Sequence, residues 1–197
     1  MRWFALILCF GLFGCGADAP ENPAAQAAFE RRVQTGHPTI IASVEEDGRV
    51  SSFARAAQNK NVETWIGGDG VSLSFRHGLL TTTRGFGWDL MTTDNAESVA
   101  LVRQRQIGTA IRIHRYLNGE GHLIARSFVC DVRSRGKRDI EISPETVQTV
   151  LVEEACTGTD DSFRNLYWID TRNHTILQSR QWVGPEIGAL ALRLTKR

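Results

Sequence analysis

From residue 39 onward the chain breaks into short runs in which apolar and polar residues alternate, divided by turns rich in glycine, asparagine and aspartate. This spacing restricts the fold more than any other feature, because alternation with period two buries one face of a strand and cannot line one face of a helix. Val71, Leu73 and Phe75 alternate with Ser72, Ser74 and Arg76. "TIIASVEEDGRVSSFARAA" holds two such runs around Asp47-Gly48, a strong short-range hairpin signal. "VETWIGGDGVSLSFRHGLLTTTRG" turns at Gly67-Gly68-Asp69-Gly70, and "TAIRIHRYLNGEGHLIARSFVCDVRS" turns at Asn118-Gly119. In "ETVQTVLVEEAC", Val147, Val150 and Leu151 also fit helical spacing, but the density of Thr and Val favours a strand. "RNLYWID" and "HTILQSRQWV" flank a polar turn at Thr171-Arg172-Asn173, and "ALALRL" closes the chain. The expectation is a mainly β fold, an antiparallel sandwich or barrel with one or two short helices.

The helices are expected in two places. Asn22-Pro23 suits an N-cap followed by proline at the first helical position, and "AAQAAFERRV" then runs to a stop before Gly36. "DNAESVALVRQ" has Asp94 and Glu97 spaced as a capping box. Between the strands, "GFGWDLMTTD" has no period and reads as a loop.

The first residues have a different character. One basic side chain, Arg2, precedes an apolar run from Trp3 to Phe13, which is shorter than the roughly 20 residues a membrane-spanning helix needs. Its length and flanks are those of a secretory signal. Cleavage at Ala17-Asp18-Ala19 would leave Pro20 at the new terminus. Leu12-Phe13-Gly14-Cys15 instead has the form of a bacterial lipobox, whose cysteine is acylated before cleavage. The expected organisation is a signal peptide at 1–14, a lipidated tether and lead-in at 15–38, and a single β-rich domain at 39–197. Several acyl chains, palmitate among them, anchor stably at about 0.8 kcal/mol per buried methylene. Gly16, rather than Asp, follows the cysteine. By the sorting rule of enterobacterial lipoproteins that implies the outer membrane.

Cysteine and charge agree with export. Cys9 leaves with the signal and Cys15 takes lipid, so Cys130 and Cys156 remain as an even pair in an oxidising compartment. A disulfide between them would contribute about 3.5 kcal/mol in the chain-entropy model. Neither a C-x-x-C spacing nor a histidine cluster accompanies them, and no metal is expected. The 23 basic side chains become 22 once Arg2 is removed, equal to the 22 acidic ones. A neutral chain has no electrostatic case for nucleic acid.

No enzyme signature is present: no G-x-S-x-G, H-E-x-x-H, P-loop or G-x-G-x-x-G. No catalytic residue and no cofactor are expected. The histidines His37, His77, His114, His122 and His174 are scattered, mostly beside turns, where solvated positions are the rule. Adjacent residues of a strand point to opposite faces, so Glu153-Glu154 and Asp160-Asp161 read as solvent charges or partners of arginines rather than acid/base pairs. Two stretches offer candidate binding residues. In "TTTRGFGWDLM", Arg84 and Asp89 sit in a loop between glycines, either as binding groups or as the local fastening of a tight corner. In "NLYWIDTRNHTILQSRQWVGPEIG", Trp168 and Trp182 fall on two strands that can pair, and alternation puts Trp182 on the face of Arg180 and Gln178. An aromatic plate beside Arg and Gln suits a sugar, and a core tryptophan under an arginine stem fits the same pattern.

The lipobox at Cys15, "TWIGGDGVSLSFRHGLLTTTRGFGWDLM", "SFVCDV", "VEEACTG" and "NLYWIDTRNHTILQSRQWVGPEIG" together resemble the YjbF/GfcB-type lipoproteins of Gram-negative bacteria, encoded with exopolysaccharide or group 4 capsule genes. Beyond the lipobox, the matching pieces run in order through about residues 64 to 188. His77 departs from the small polar turn residue expected there. The resemblance implies a largely β fold, an outer-membrane lipid anchor facing the periplasm, and a part in polysaccharide production or export. It implies no catalytic residue. The partners it suggests are membrane lipid through acylated Cys15 and either exopolysaccharide or a polysaccharide export protein. The alternatives are a polysaccharide-modifying enzyme and a general envelope scaffold lipoprotein.

Overall fold

The computed structural model describes residues 22–142 and 144–196, so the expected signal segment and lipidation site, Cys15, lie outside the described residues. Helix α1 (Pro23–Gln34) starts as the sequence suggests, with Asn22 Oδ1 accepting the Ala25 N–H at 3.0 Å and proline in the first turn. Twelve strands and a second helix follow. They are β1 (Thr39–Val44), β2 (Val50–Asn59), β3 (Val62–Gly67), β4 (Ser72–Arg76), β5 (Leu79–Arg84), β6 (Thr92–Asp94), α2 (Ala96–Gln104), β7 (Gly108–Leu117), β8 (Leu123–Ile142), β9 (Glu145–Thr157), β10 (Ser162–Asp170), β11 (Ile176–Gly184) and β12 (Gly188–Lys196). Among the described residues no helix is long and apolar enough to cross a membrane.

All twelve strands form one antiparallel sheet, in the order β5-β4-β3-β2-β1-β12-β11-β10-β9-β8-β7-β6. The chain therefore runs as two meanders, joined where the last strand pairs with the first: Ala42 opposes Leu192 and Val44 opposes Leu190. The turns have the local chemistry that hairpins require. At the β4–β5 turn His77 and Gly78 both hold positive φ, +51° and +83°, the backbone of a tight primed turn. Glycine takes that conformation without strain, and His77 is the exception that the turn type forces.

The sheet is nearly closed into a barrel. Its free ends are drawn together by the segment between β5 and β6, where Leu90 O accepts the Thr83 N–H of β5 at 2.9 Å and Met91 N–H donates to Arg115 O of β7 at 2.9 Å. Asn95 Nδ2 donates to Leu80 O at 3.3 Å across the same seam. Helix α2 fills what the three-residue β6 leaves open, packing Val99 and Val102 against Leu79, Val132, Val152, Tyr167 and Ile169. Closure in this manner covers sheet edges that would otherwise present unpaired backbone groups. The main core, including Phe53, Trp65, Leu73, Phe75, Leu80, Phe128, Phe163 and Trp182, fills the interior.

Several local expectations change. Thr92–Asp94 is strand rather than loop, because it finds a partner in β7. The capping box at α2 does not form. Asn95 occupies the N-cap without a side-chain cap bond, and Glu97 reaches across instead to accept the Ile111 N–H at 2.7 Å. His114 is wholly buried, not a solvated turn residue, since its strand turns that face inward.

Cys130 and Cys156 form a disulfide across directly opposed positions of β8 and β9, inside the main core. Replacing both with alanine is expected to lower stability by up to about 3 kcal/mol, less if the unfolded chain retains structure. Denaturant titration of the double variant checks this; a midpoint unchanged from the parent would show that the bridge adds nothing.

Candidate functional site: a cleft over a buried charged network

Strands β10 and β11 pair from Ile169/Ile176 only as far as Leu166/Arg180. Beyond that point they splay, and side chains replace the backbone ladder. Asn165 spans the split: its Oδ1 accepts the Trp182 N–H at 2.8 Å, and its Nδ2 donates to Glu154 at 2.9 Å. The rings of Phe163 and Trp182 stack in the opening, 4.4 Å apart and within 9° of parallel. Trp182 also lies 5.7 Å from the His114 ring and 5.7 Å from Phe128. An irregularity of register between Trp182 and Gly184 accompanies this inward turn.

Over the split lies an open cleft of about 880 Å³, walled by Glu45, Glu46, Glu153, Arg164 and Arg180, with Phe163 and Trp182 at its floor. Arg180 is held in place by Glu45, with Nε at 2.9 Å from both carboxylate oxygens, and donates to the Arg164 carbonyl at 2.5 Å. Glu153 is paired with Arg135 at 2.6 Å, which pulls its pKa below the usual carboxylate range.

Behind the cleft, the inner face of β7 meets β9 and β10 in a buried charged network. Arg112 Nη1 donates to Glu154 Oε2 at 2.7 Å, and the same oxygen accepts Tyr167 OH at 2.9 Å. Arg112 Nε also donates to His114 Nε2 at 3.3 Å. The other imidazole nitrogen then carries the proton and donates to Tyr116 at 3.0 Å, whose hydroxyl donates to the Val183 carbonyl at 2.7 Å. The donors thus run one way, from a fixed cation to a backbone acceptor.

Burial opposes ionisation of Glu154, but Arg112 and the donors Asn165 and Tyr167 outweigh it and lower its pKa. Burial, aided by Arg112, holds His114 well below the ordinary histidine value, so the ring stays neutral. Burial and then Glu154 push Tyr167 well above the ordinary tyrosine range. A pH dependence follows. His114 is neutral when folded but protonates near 6.5 when unfolded, so its effect is absent above that pH and stability falls below it. The slope approaches about 1.4 kcal/mol per pH unit until the folded ring itself titrates. Glu154 acts in a separate window: its stabilisation is present above the unfolded value of 4.5 and is lost as pH falls through the lowered folded value. Urea midpoints between pH 8 and 5 should be level and then decline below about 6.5. His114→Gln should flatten that decline; an unaltered slope in the variant would assign it elsewhere.

The expected site residues are partly gathered and partly dispersed. Arg180 and Trp182 meet in the cleft. Trp168 lies half-buried on the outer side of β10, between Leu151 and Gln178 of the neighbouring strands, and is not part of it. Arg84 and Asp89 fasten their own loop: Asp89 accepts from Thr83 Oγ1 at 2.9 Å and the Gly85 N–H at 2.9 Å, while Arg84 donates to the carbonyls of Thr83, Leu90 and Met91. Arg112, His114, Tyr116, Glu154, Asn165 and Tyr167 were missing from the expected set. Their one signal is "AIRIHRY", whose alternation is visible but whose inward face is the polar one.

A nearly closed antiparallel barrel with a helix in its seam, an internal disulfide and an aromatic-floored cleft defines a small β-domain. A family model described as group 4 capsule polysaccharide lipoprotein gfcB, YjbF matches residues 11–194, and the chain belongs to that family. Among solved structures it is similar to the hypothetical lipoprotein YmcC from Escherichia coli (K12). The TM-score is 0.73 at 16% identity, over 89% of this chain and 90% of that one, a likeness of fold. No curated protein matches the chain.

Proposed function

We propose that the protein is an accessory of capsule or exopolysaccharide production or export, held to the periplasmic face of the outer membrane by acylated Cys15, and that it acts by binding a glycan segment rather than by chemistry. The observation that carries this is the cleft over the β10–β11 split. It sets arginine donors and carboxylate acceptors that solvent reaches around a floor of buried rings, groups suited to the hydroxyls of a glycan laid across them rather than to stacking on an open ring. Glycoside hydrolysis would need two available carboxylates flanking the bond. Here Glu45 is engaged by Arg180 and Glu153 by Arg135, which favours binding over the polysaccharide-modifying alternative.

A second reading, docking of an export protein, is favoured by β8. Its residues 133–142 pair with β9 except for a bulge at Arg135-Gly136, and among the described residues they have no strand partner on the β7 side. That leaves an edge for strand addition, though one blunted by Arg133, Arg135, Lys137 and Arg138.

The test is calorimetric titration of the purified protein with the polysaccharide of its own producer. Arg180→Ala together with Arg164→Ala is expected to weaken binding by roughly tenfold while leaving the melting temperature nearly unchanged. Unchanged affinity in that folded variant would eliminate the cleft. Normal polymer yield from cells lacking the protein would eliminate the accessory role altogether.

A further inference from the structure

Four large apolar side chains gather in solvent at one pole of the barrel. Trp88 is 49% exposed in the loop between β5 and β6. Leu117, Leu123 (59% exposed) and Ile124 stand at the end of the β7–β8 ladder, below the polar loop of residues 118–122, where Leu117 and Leu123 are direct partners. Trp88, Leu117 and Ile124 line one hollow of about 240 Å³ together with Pro185 of the β11–β12 turn. They are therefore neighbours contributed by three separate loops.

The same pole receives the beginning of α1. Asn22 and Ala25 lie over the β3–β4 turn so closely that a methyl group on Gly70 would sit 2.9 Å from Asn22 Nδ2. Gly85, at the start of the loop that carries Trp88, lies against Val71 of that turn, and a methyl group there would be 3.2 Å from Val71 Cγ2. The chain thus enters the barrel one loop away from Trp88. Six residues separate Asn22 from Cys15, a reach of at most about 25 Å when fully extended. Helix α1 then carries the chain about 18 Å toward the other pole. A tether that short keeps the Trp88 pole next to whatever holds Cys15.

We propose that this pole is a membrane-contact face, with Trp88, Leu117, Leu123 and Ile124 resting in the headgroup region of the phospholipid leaflet that carries the anchor. The proposal rests on the acylation of Cys15 stated above and adds an orientation to it. Tryptophan favours the membrane–water interface, where its ring is half solvated, and leucine and isoleucine bury shallowly beside it. The pocket of about 310 Å³ at the opposite pole, lined by Ile40, Trp65, Phe75, Leu177 and Leu192, then faces the periplasm.

The acylated protein reconstituted into phosphatidylethanolamine/phosphatidylglycerol vesicles with brominated acyl chains tests this. Trp65 and Trp182 are buried and Trp168 half-buried, so Trp88 is the tryptophan that bromine can reach among the described residues. Emission should be quenched in the parent and not in Trp88→Phe. Leu123→Ser combined with Ile124→Ser should cut the quenching by about threefold without changing the fold. Vesicle-bound protein quenched equally with and without Trp88 overturns the proposal while leaving the anchor intact. If intact mass finds no lipid on the chain, the anchor has failed and the face is judged by titrating the Cys15→Ser chain with the same vesicles. Quenching through Trp88 there supports the face, and its absence overturns it.

Discussion

Trp182→Ala is expected to destabilise the fold by about 3–5 kcal/mol, enough to leave a marginally stable domain partly unfolded. Trp182 is 8% exposed and stacked on Phe163, with the His114 ring beside both and Phe128 edge-on. It fills the stretch in which β10 and β11 have no backbone ladder, so its removal opens a cavity and frees two strand ends together. Stacked and edge-on ring pairs add about 0.5–1.5 kcal/mol beyond the area they bury. Trp182→Phe, which keeps a ring against Phe163, should therefore lose much less. Trp168→Ala, on the half-buried outer face, is the control and should cost clearly less than Trp182→Ala. Urea unfolding of the three variants decides the matter. A Trp182→Ala protein about as stable as the Trp168→Ala protein would show that the ring adds little to the core.

The second large effect is expected at the buried ion pair. Arg112→Met or Glu154→Met alone should cost about 3–5 kcal/mol, because each leaves the other charge desolvated and unpaired. The double variant should recover most of that loss, since a well-packed apolar pair often equals or exceeds a buried ion pair in stability. A double-mutant cycle in denaturant measures the coupling. Simple additivity of the two single losses would show that the charges do not depend on each other, against their 2.7 Å contact. Tyr167 and Asn165 remain as donors in every variant, so recovery need not be complete.

Much of this molecule is legible as a string of residues. The hairpins at Asp47-Gly48, at Gly67–Gly70 and after Leu117 follow from turn chemistry that acts within a few residues. Helix α1 follows from Asn22-Pro23 in the same way. The choice of strand for "ETVQTVLVEEAC" follows from β-branched content, and the cysteines that join are the two that the β-rich segment carries. What sequence could not decide is which face of a strand points in. In β7, Ile111 and Ile113 alternate with Arg112 and His114, and period two defines both faces without ranking them. The polar face is inside because Glu154, 42 residues further on, and Tyr167, 55 residues further on, stand there to receive Arg112.

Trp182 is the same case in reverse. Alternation puts it beside Arg180, but the split between β10 and β11 and the Asn165 bridge turn it into the core. Local sequence determined the strands, the turns and the number of faces, because those depend on neighbours in the chain. The inward choice, the seam closed by α2 and the cleft were decided only by tertiary structure, because each depends on pairing residues that are distant in sequence.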